Sequence, residues 1–199
     1  DVCSSDLTSF RPFNNFGRDV LGENWVSHWG ANRRGATRGV VEPGAENDPL
    51  LRGVEGIFGD SGVYETHPVA GSKILFRGQV LAGMRPDDPP DVKQRKVRKA
   101  DGVEQGINDP MMPVAWTREN VNANGSRNRV FCTTMGAATD LANEGLRRLV
   151  VNAVLAGFGI EIPARTDVRY VDPYEPAPYA FKGYRRGLTP DDHALGKVL

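Results

Sequence analysis

Cysteine, long apolar runs and an excess of charge of either sign are all scarce in this 199-residue chain. The two cysteines, Cys3 and Cys132, are too few for a disulfide framework or a cysteine-based zinc site. The longest apolar stretch, residues 149–160, is interrupted by Asn152 and by glycines and is too short to span a bilayer. Lysine plus arginine equals aspartate plus glutamate, at 25 each, so neither nucleic acid nor an anionic membrane is favoured as a partner.

The first seven residues, DVCSSDL, match one reading frame of a common sequencing-library adapter. An initiator methionine and a charged-then-apolar signal segment are both missing from the start. We therefore interpret residues 1–7 as a non-native leader and expect the natural N-terminal part to lie upstream. Resequencing the locus from source DNA tests this interpretation, which fails if the same codons reappear.

Apolar and turn-forming residues predict a chain of mixed elements. The pattern indicates a short helix within residues 17–25 and a single helical turn at 48–54. Strands are predicted at 73–81, 112–118 and 129–135, the last two being joined by a turn at 122–126.

One helix is predicted after the last strand, with Asp140 as its N-cap and an end at Gly157 and Gly159. An apolar face is expected from the three- and four-residue spacing of Leu146, Leu149, Val150, Ala153, Val154, Gly157 and Phe158. Glu144, Arg147, Arg148 and Asn152 fall off that face and are expected on the polar side.

Two segments differ in composition from the rest. Residues 85–101 are rich in proline and in charges of both signs, which favours a solvated surface loop over a basic binding patch. Residues 161–199 are punctuated by proline and tyrosine, and the prolines within 172–179 exclude helix and central strand there. We expect this extension to be an ordered arm lying on the domain.

Five segments together carry a resemblance to a known family: residues 39–47, 63–68, 108–118, 129–140 and 143–149. Their order and spacing resemble the ThuA-like (trehalose-utilisation) family. The resemblance implies an α/β fold, a three-layer flavodoxin-like sheet of the class I glutamine amidotransferase type, mostly parallel, with helices on both faces. The first strand–helix units would be missing, residues 8–160 would be the C-terminal portion of the domain, and 161–199 a C-terminal extension.

Trp25, His28 and Trp29 form the first group of candidate site residues. Indole rings stack on the apolar faces of sugars, and an imidazole can hydrogen-bond to the hydroxyls, so Trp25 and Trp29 are candidates for substrate binding and His28 for catalysis. A structural loop histidine packed by its aromatic neighbours is the alternative interpretation.

Asp60, Tyr64, Glu65 and His67 form the second group. The carboxylates and the imidazole are candidates for acid–base catalysis, and Tyr64 for substrate binding. Ordinary hydrogen bonding in a solvated loop is the alternative. The same side chains could hold a divalent metal, but their spacing matches no metal motif, so no metal ligand is assigned and no cofactor is evident.

The third group lies at strand ends, where α/β sheets bind ligands. Thr133, Thr134 and Asp140 follow the last strand, and Trp116 and Arg118 end the strand before it. All are candidates for substrate binding, although Trp116 could instead belong to the core and Asp140 could serve only as a helix cap.

Cys132 lies inside an apolar strand rather than in an exposed turn, so we interpret it as a buried strand cysteine and expect no glutamine amidotransferase activity. Many ThuA-like proteins carry a histidine after the glycine that ends the last strand, whereas here Gly136 is followed by Ala137. This departure argues against a metal-centred mechanism.

Two functions follow as expectations. The resemblance implies binding or processing of a small carbohydrate of the trehalose or keto-glycoside type. The alternative is a non-catalytic interaction module with an amidotransferase-like fold, which would bind a protein partner through its C-terminal extension. By resemblance, export from the cell is expected.

Overall fold

The computed structural model describes residues 15–178, 187 and 189–194. The predicted leader at 1–7 and much of the extension after Pro178 lie outside these residues. The strands are β1 (Ser27–His28), β2 (Thr37–Val41), β3 (Phe58–Gly59), β4 (Tyr64–Glu65), β5 (Lys73–Val80), β6 (Arg95–Val97), β7 (Glu104–Gly106), β8 (Met112–Val121) and β9 (Arg127–Thr133). The α-helix, α1, spans Glu144–Gly157, and shorter turns of π or 3-10 type lie at Gly17–Leu21, Pro49–Leu51, Asp140–Ala142 and Pro190–His193.

The main sheet has five strands in the order β3-β2-β5-β8-β9, and every neighbouring pair is antiparallel. Its register places Thr37 opposite Val80 and Ala115 opposite Thr133. The pairing of β5 with β8 is irregular around Phe76, and such bulges bend a strand and increase its twist. Two ribbons, β1 with β4 and β6 with β7, pack beside this curled sheet.

The mixed α/β character is confirmed, but the expected mostly parallel sheet with helices on both faces is not seen in the part of the chain described, whose five-stranded sheet is antiparallel. A parallel neighbour requires a crossover over one face of the sheet, usually a helix. The segments between neighbouring strands of this sheet are instead a hairpin turn and loops with 3-10 turns or ribbons, and α1 follows the last strand. Neighbouring strands of this sheet therefore run in opposite directions.

The predicted strands and turns are confirmed, with small shifts of their bounds. The strand predicted at 73–81 is β5, and those predicted at 112–118 and 129–135 are β8 and β9. In the turn between β8 and β9, the Asn122 N–H donates to the Ser126 carbonyl at 2.8 Å, and Gly125 has φ 81°. Residues 85–101 are mostly exposed, as predicted, but they also include β6.

Asp140 is not the N-cap of the helix, contrary to the sequence prediction. It begins a 3-10 turn, Asp140–Ala142, that precedes α1, and Asn143 then adopts an extended conformation with ψ 124°. The side-chain oxygen of Asn143 accepts the Leu146 N–H at 2.9 Å, which makes Asn143 the cap. The predicted end at Gly157 is confirmed.

The buried face of α1 also differs from the prediction. Arg148 and Asn152 are buried, whereas Val154 is 51% and Phe158 77% exposed. Arg148 donates to the carbonyls of Thr166 at 2.9 Å and Gly53 at 3.1 Å. At these two positions the packed segments present backbone carbonyl groups, which Arg148 and Asn152 satisfy, while Leu146 and Leu149 pack in the apolar core.

The core lies between the sheet and α1. It includes the following buried side chains: Ile57, Val63, Leu75, Phe76, Val80, Val114, Met135, Leu146 and Leu149. Asn152 lies at its edge, where it donates to the Leu50 and Arg52 carbonyls at 2.9 and 3.1 Å and accepts the Thr166 hydroxyl at 2.5 Å. In the part of the chain that the structure covers, no helix is long and apolar enough to cross a membrane.

Replacing Asn152 with alanine is expected to lower the free energy of unfolding by about 2–4 kcal/mol, because buried polar groups lose their partners. Urea denaturation measures this effect. Val154→Ala, an exposed change on the same helix, serves as control and should alter stability by less than about 0.5 kcal/mol. Equal effects of the two changes would contradict the role given to Asn152.

Candidate functional site

A cleft of about 690 Å³ opens where β9 ends and the chain turns toward α1. This volume lies within the range of small-molecule sites, roughly 300–1,000 Å³. The cleft is lined by residues 132–139, by Leu21 and residues 23–25, by His28, Asn32 and Arg33, by Asp60, Ser61 and residues 64–66, and by Met84, Trp116, Ala177 and Pro178.

Most of the candidate residues from the sequence line this one cleft. They are Trp25, His28, Asp60, Tyr64, Glu65, Trp116, Thr133 and Thr134. Four others, Trp29, His67, Arg118 and Asp140, lie outside its lining. The folded chain thus brings together candidates from three separate parts of the sequence.

Aromatic rings form one wall of the cleft. The pairing of β1 with β4 places His28 opposite Tyr64, with their ring centroids 5.3 Å apart. The Trp25 ring meets His28 edge-on at 5.6 Å. Alternation along β1 buries Ser27 and exposes His28, so the imidazole is accessible at the cleft.

The indole nitrogen of Trp25 is buried and has no hydrogen-bond partner in the part of the chain described. Buried N–H groups are nearly always paired, because an unpaired donor loses its bond to water without replacement. Trp116 differs: it is 1% exposed, and its Nε1 donates to the Leu21 carbonyl at 2.8 Å. Trp25 therefore lines the cleft with its ring, while its buried indole donor is unpaired within the described residues.

Glu65 is a buried carboxylate whose oxygens are fully engaged. It accepts hydrogen bonds from the Ser27 hydroxyl at 2.7 Å and from the N–H groups of Lys99 and Ala100 at 2.9 Å. Nε2 of His67 lies 3.2 Å from Oε1 of Glu65. Burial raises the pKa of Glu65, but these hydrogen bonds to the charged form together outweigh it, and the net pKa is lowered. Glu65 thus fastens residues 99–100 to the ribbon.

His67 lies in a shallower depression of about 400 Å³, beside Arg77 and Arg98. Both guanidinium groups are already paired, with Glu42 and Asp101 respectively. The depression therefore offers no free cationic group from these two side chains.

Asp140 lies beneath the cleft wall rather than in it. One oxygen accepts the Ser61 N–H at 3.1 Å, and the other accepts the Ser61 hydroxyl at 2.5 Å and the Gly136 and Ala137 N–H groups at 3.1 and 3.2 Å. A Cβ at Gly59 would lie 2.5 Å from an Asp140 oxygen, so glycine is required there. Asp140 holds together the two loops that carry Thr139 and Asp60.

Those two loops also meet directly, since the Thr139 hydroxyl donates to Oδ1 of Asp60. Asp60 lines the cleft from a partly exposed position. Oδ2 accepts no hydrogen bond from another described residue, which leaves it able to accept from a ligand.

Trp29 and Arg118 have structural contacts. Trp29 is 1% exposed, and its Nε1 donates to the Ile107 carbonyl at 2.8 Å. Arg118 donates to the carbonyls of Arg18 and Asp19, both at 3.0 Å, and so holds the π-helical turn.

Glu23, Asn24, Asn32 and Arg33 line the cleft but were missed in the sequence. Burial raises the pKa of Glu23, although the N–H groups of His67 and Asn24 donate to it. The side-chain oxygens of Asn24 and Asn32 accept backbone N–H groups from Arg18 and Gly62, which leaves their NH₂ groups to donate. These residues sit in irregular loops, where no periodic pattern marks them.

Burial, and secondarily the Glu23 carboxylate, raise the pKa of Cys132 to about 11. A thiol with such a pKa is protonated at neutral pH and is a poor nucleophile. Cys132 thus lies in strand β9, as predicted, but it is only partly buried and lines the cleft.

Within residues 15–178 and the short C-terminal pieces, no group of three or more histidine, cysteine, aspartate or glutamate side chains could hold a metal ion. Comparison with protein-family models, with curated proteins and with solved structures found no match.

Asp140→Asn is expected to lower the free energy of unfolding by about 2–4 kcal/mol. Both Asp140 oxygens accept hydrogen bonds, so the NH₂ group of the new asparagine would face an N–H or O–H donor whichever way the amide is turned. Asp87→Asn, at an exposed aspartate, serves as the matched control. Urea denaturation of both variants measures the difference, and a stability equal to that of the control would rule out the buried anchor.

Glu23→Gln is expected to change how stability depends on pH. Because the folded chain holds the Glu23 proton more tightly than the unfolded chain, this group lowers the free energy of unfolding as the pH rises above its ordinary pKa of 4.5. The pKa of Glu65 is lowered rather than raised, so this carboxyl group titrates below pH 4.5.

Denaturation of the wild type and the variant between about pH 4.5 and pH 7.5 tests this expectation. The decline should be smaller in the variant, even if the lost hydrogen bond lowers its stability at every pH. Glu161→Gln, at a solvent-exposed carboxylate, should leave the slope unchanged. Identical slopes in all three proteins would contradict the assignment.

Proposed function

We propose that this chain binds a small carbohydrate in the cleft and contributes to its processing. The observation that carries the proposal is the convergence of the Trp25, His28 and Tyr64 rings with Asp60 in one cleft of suitable size. Apolar sugar faces pack on aromatic rings, while hydroxyls need both donors and acceptors nearby.

The polar groups of the cleft match a ligand rich in hydroxyls. Asp60 supplies an acceptor, and the NH₂ groups of Asn24 and Asn32 supply donors. Three carboxylates, those of Glu23, Asp60 and Glu65, and one guanidinium, that of Arg33, line the same cleft, which disfavours an anionic ligand. Burial raises the pKa of Glu23, and hydrogen bonds saturate Glu65, so a neutral polar ligand suits this lining.

For processing, His28 and Asp60 are the proposed acid–base groups, since both lie in the cleft and can reach a ligand. Glu23 is a further proton donor, because its raised pKa keeps more of it protonated than an ordinary glutamate. Glu65 and His67 are better suited to positioning, because Glu65 is saturated with hydrogen bonds and His67 lies outside the cleft lining.

The ThuA-like resemblance points to the same ligand class and remains part of this proposal. The three-layer flavodoxin-like arrangement belongs to it as well, and would require strand–helix units outside the sheet described above. Glutamine amidotransferase activity is not proposed, because the thiol in the cleft, Cys132, has a raised pKa.

A non-catalytic interaction module is the second candidate. The observation in its favour is the exposed apolar surface at the end of α1, where Val154, Phe158 and Ile160 are accessible. A protein partner covering these side chains would remove them from water. The two candidates differ in which substitution weakens binding.

Calorimetric titration with trehalose, other disaccharides and monosaccharides tests the carbohydrate proposal. Trp25→Ala and Asp60→Asn should each weaken binding by about tenfold or more, which corresponds to about 1.4 kcal/mol. Phe158→Ala removes an exposed aromatic ring outside the cleft lining and should leave the affinity unchanged.

Circular dichroism and thermal melting check that each variant is folded. Absence of saccharide binding by the wild type, or equal weakening by Phe158→Ala, would overturn the proposal. Loss of binding to a protein partner only in Phe158→Ala would favour the interaction module.

A further inference from the structure

The C-terminal segment is attached to α1 through Arg147. The Arg147 guanidinium lies 4.1 Å from the centroid of the Tyr170 ring, and its Nη1 lies 2.5 Å from the Tyr170 hydroxyl. Tyr170 in turn stacks on Tyr174, with centroids 5.1 Å apart and ring planes 28° from parallel. These contacts place Tyr174 beside the loop that follows β9.

Tyr174 then connects this segment to the cleft wall. Its hydroxyl donates to the Ala138 carbonyl at 2.6 Å, and Ala138 lines the cleft. Only a few residues further along the chain, Ala177 and Pro178 also line the cleft. The hydrogen bond thus joins two sides of one opening.

Among the residues that the structure describes, few other contacts hold residues 171–178 in place. Val171 is 97% and Tyr174 37% exposed. The backbone of this stretch makes no hydrogen bond to another residue that the structure describes. Where burial and backbone pairing are so slight, a single side-chain hydrogen bond and one ring stack control the position of the chain.

From these contacts we propose that Tyr174 is a positioning residue that sets the size of ligand the cleft admits. Its bond to Ala138 holds the segment from Tyr174 to Pro178, here named the strap, as one wall of the cleft. Pro176 and Pro178 stiffen the strap, so fixing it at Tyr174 also fixes its end. The inference rests on the proposed function for the ligand class, but access to the cleft can be measured without a ligand.

Cys132 provides that measurement, because its thiol lies in the cleft lining. In a full-length Cys3→Ser background, Cys132 is the single cysteine of the chain. Its labelling rate with a small methanethiosulfonate and with a bulky aryl maleimide then reports access for two probe sizes. All rates are measured at one pH of about 8, where maleimides keep their selectivity for thiols; the raised pKa slows the reaction in every variant alike, so each rate is compared with that of the parent.

Three variants in that background define the experiment. Tyr174→Phe removes the hydroxyl and keeps the ring stack, Tyr174→Ala removes both, and Val171→Ala changes an exposed neighbour that makes no such contact. Tyr174→Phe should raise the rate with the maleimide by about threefold or more, and Tyr174→Ala further, because the strap can move away. The rate with the small reagent should change much less, and Val171→Ala should match the parent.

Unchanged maleimide rates in both Tyr174 variants would overturn the proposal. Equal increases with both reagents would also overturn it, because they would report general loosening rather than a size limit. Melting temperatures close to that of the parent confirm that the variants remain folded.

A saccharide series from one to four rings then separates this inference from the proposed function. The Tyr174 variants should gain affinity for the longer members relative to the monosaccharide, while Val171→Ala should not. A size-dependent labelling effect without any saccharide binding would overturn the carbohydrate proposal and keep the strap. Saccharide binding with unchanged labelling would overturn the role of the strap and keep the carbohydrate proposal.

Discussion

The buried carboxylate of Asp140 joins the two loops on which the cleft is built. A carboxylate without water requires hydrogen-bond donors, and Asp140 obtains them from Ser61 on one loop and from Gly136 and Ala137 on the other. The Thr139 hydroxyl then reaches Asp60 across the same junction. The position of Asp60 in the cleft thus depends on the hydrogen bonds that the Asp140 carboxylate accepts beneath it.

A second buried carboxylate, Glu65, has the same role on the ribbon side. It draws the N–H groups of Lys99 and Ala100 toward β4, which also carries Tyr64. Tyr64 faces His28 because the two short strands pair at that point. Both buried carboxylates therefore organise loops around the cleft, while Asp60, which faces it, keeps one oxygen able to accept from a ligand.

Polar groups also determine how α1 and the C-terminal segment pack. Arg148 and Asn152 bind carbonyl groups of residues 50–53 and 166, and Arg147 holds Tyr170. The helix thereby links the core of the sheet to the strap at the cleft. This connection explains why a segment rich in proline, with little regular structure, still follows a defined path.

The sequence by itself determined the local elements. Alternating and β-branched residues marked β5, β8 and β9, turn-forming residues marked the connection at 122–126, and glycine marked the end of α1. These signals are local, because they depend on the conformational preferences of a few neighbouring residues. The residue types suited to a site, including His28, Asp60 and Tyr64, could be named from the sequence for the same reason.

Only the tertiary structure decided the direction of strand pairing, the buried face of the helix and which candidates share a cleft. Periodicity could not show that Arg148 and Asn152 face inward, because their partners are carbonyl groups of distant segments. Nor could it separate Asp60, which lines the cleft, from Asp140, which lies beneath it. Glu23 joined the site through a loop without a pattern, and its raised pKa arises from burial, which depends on the whole fold.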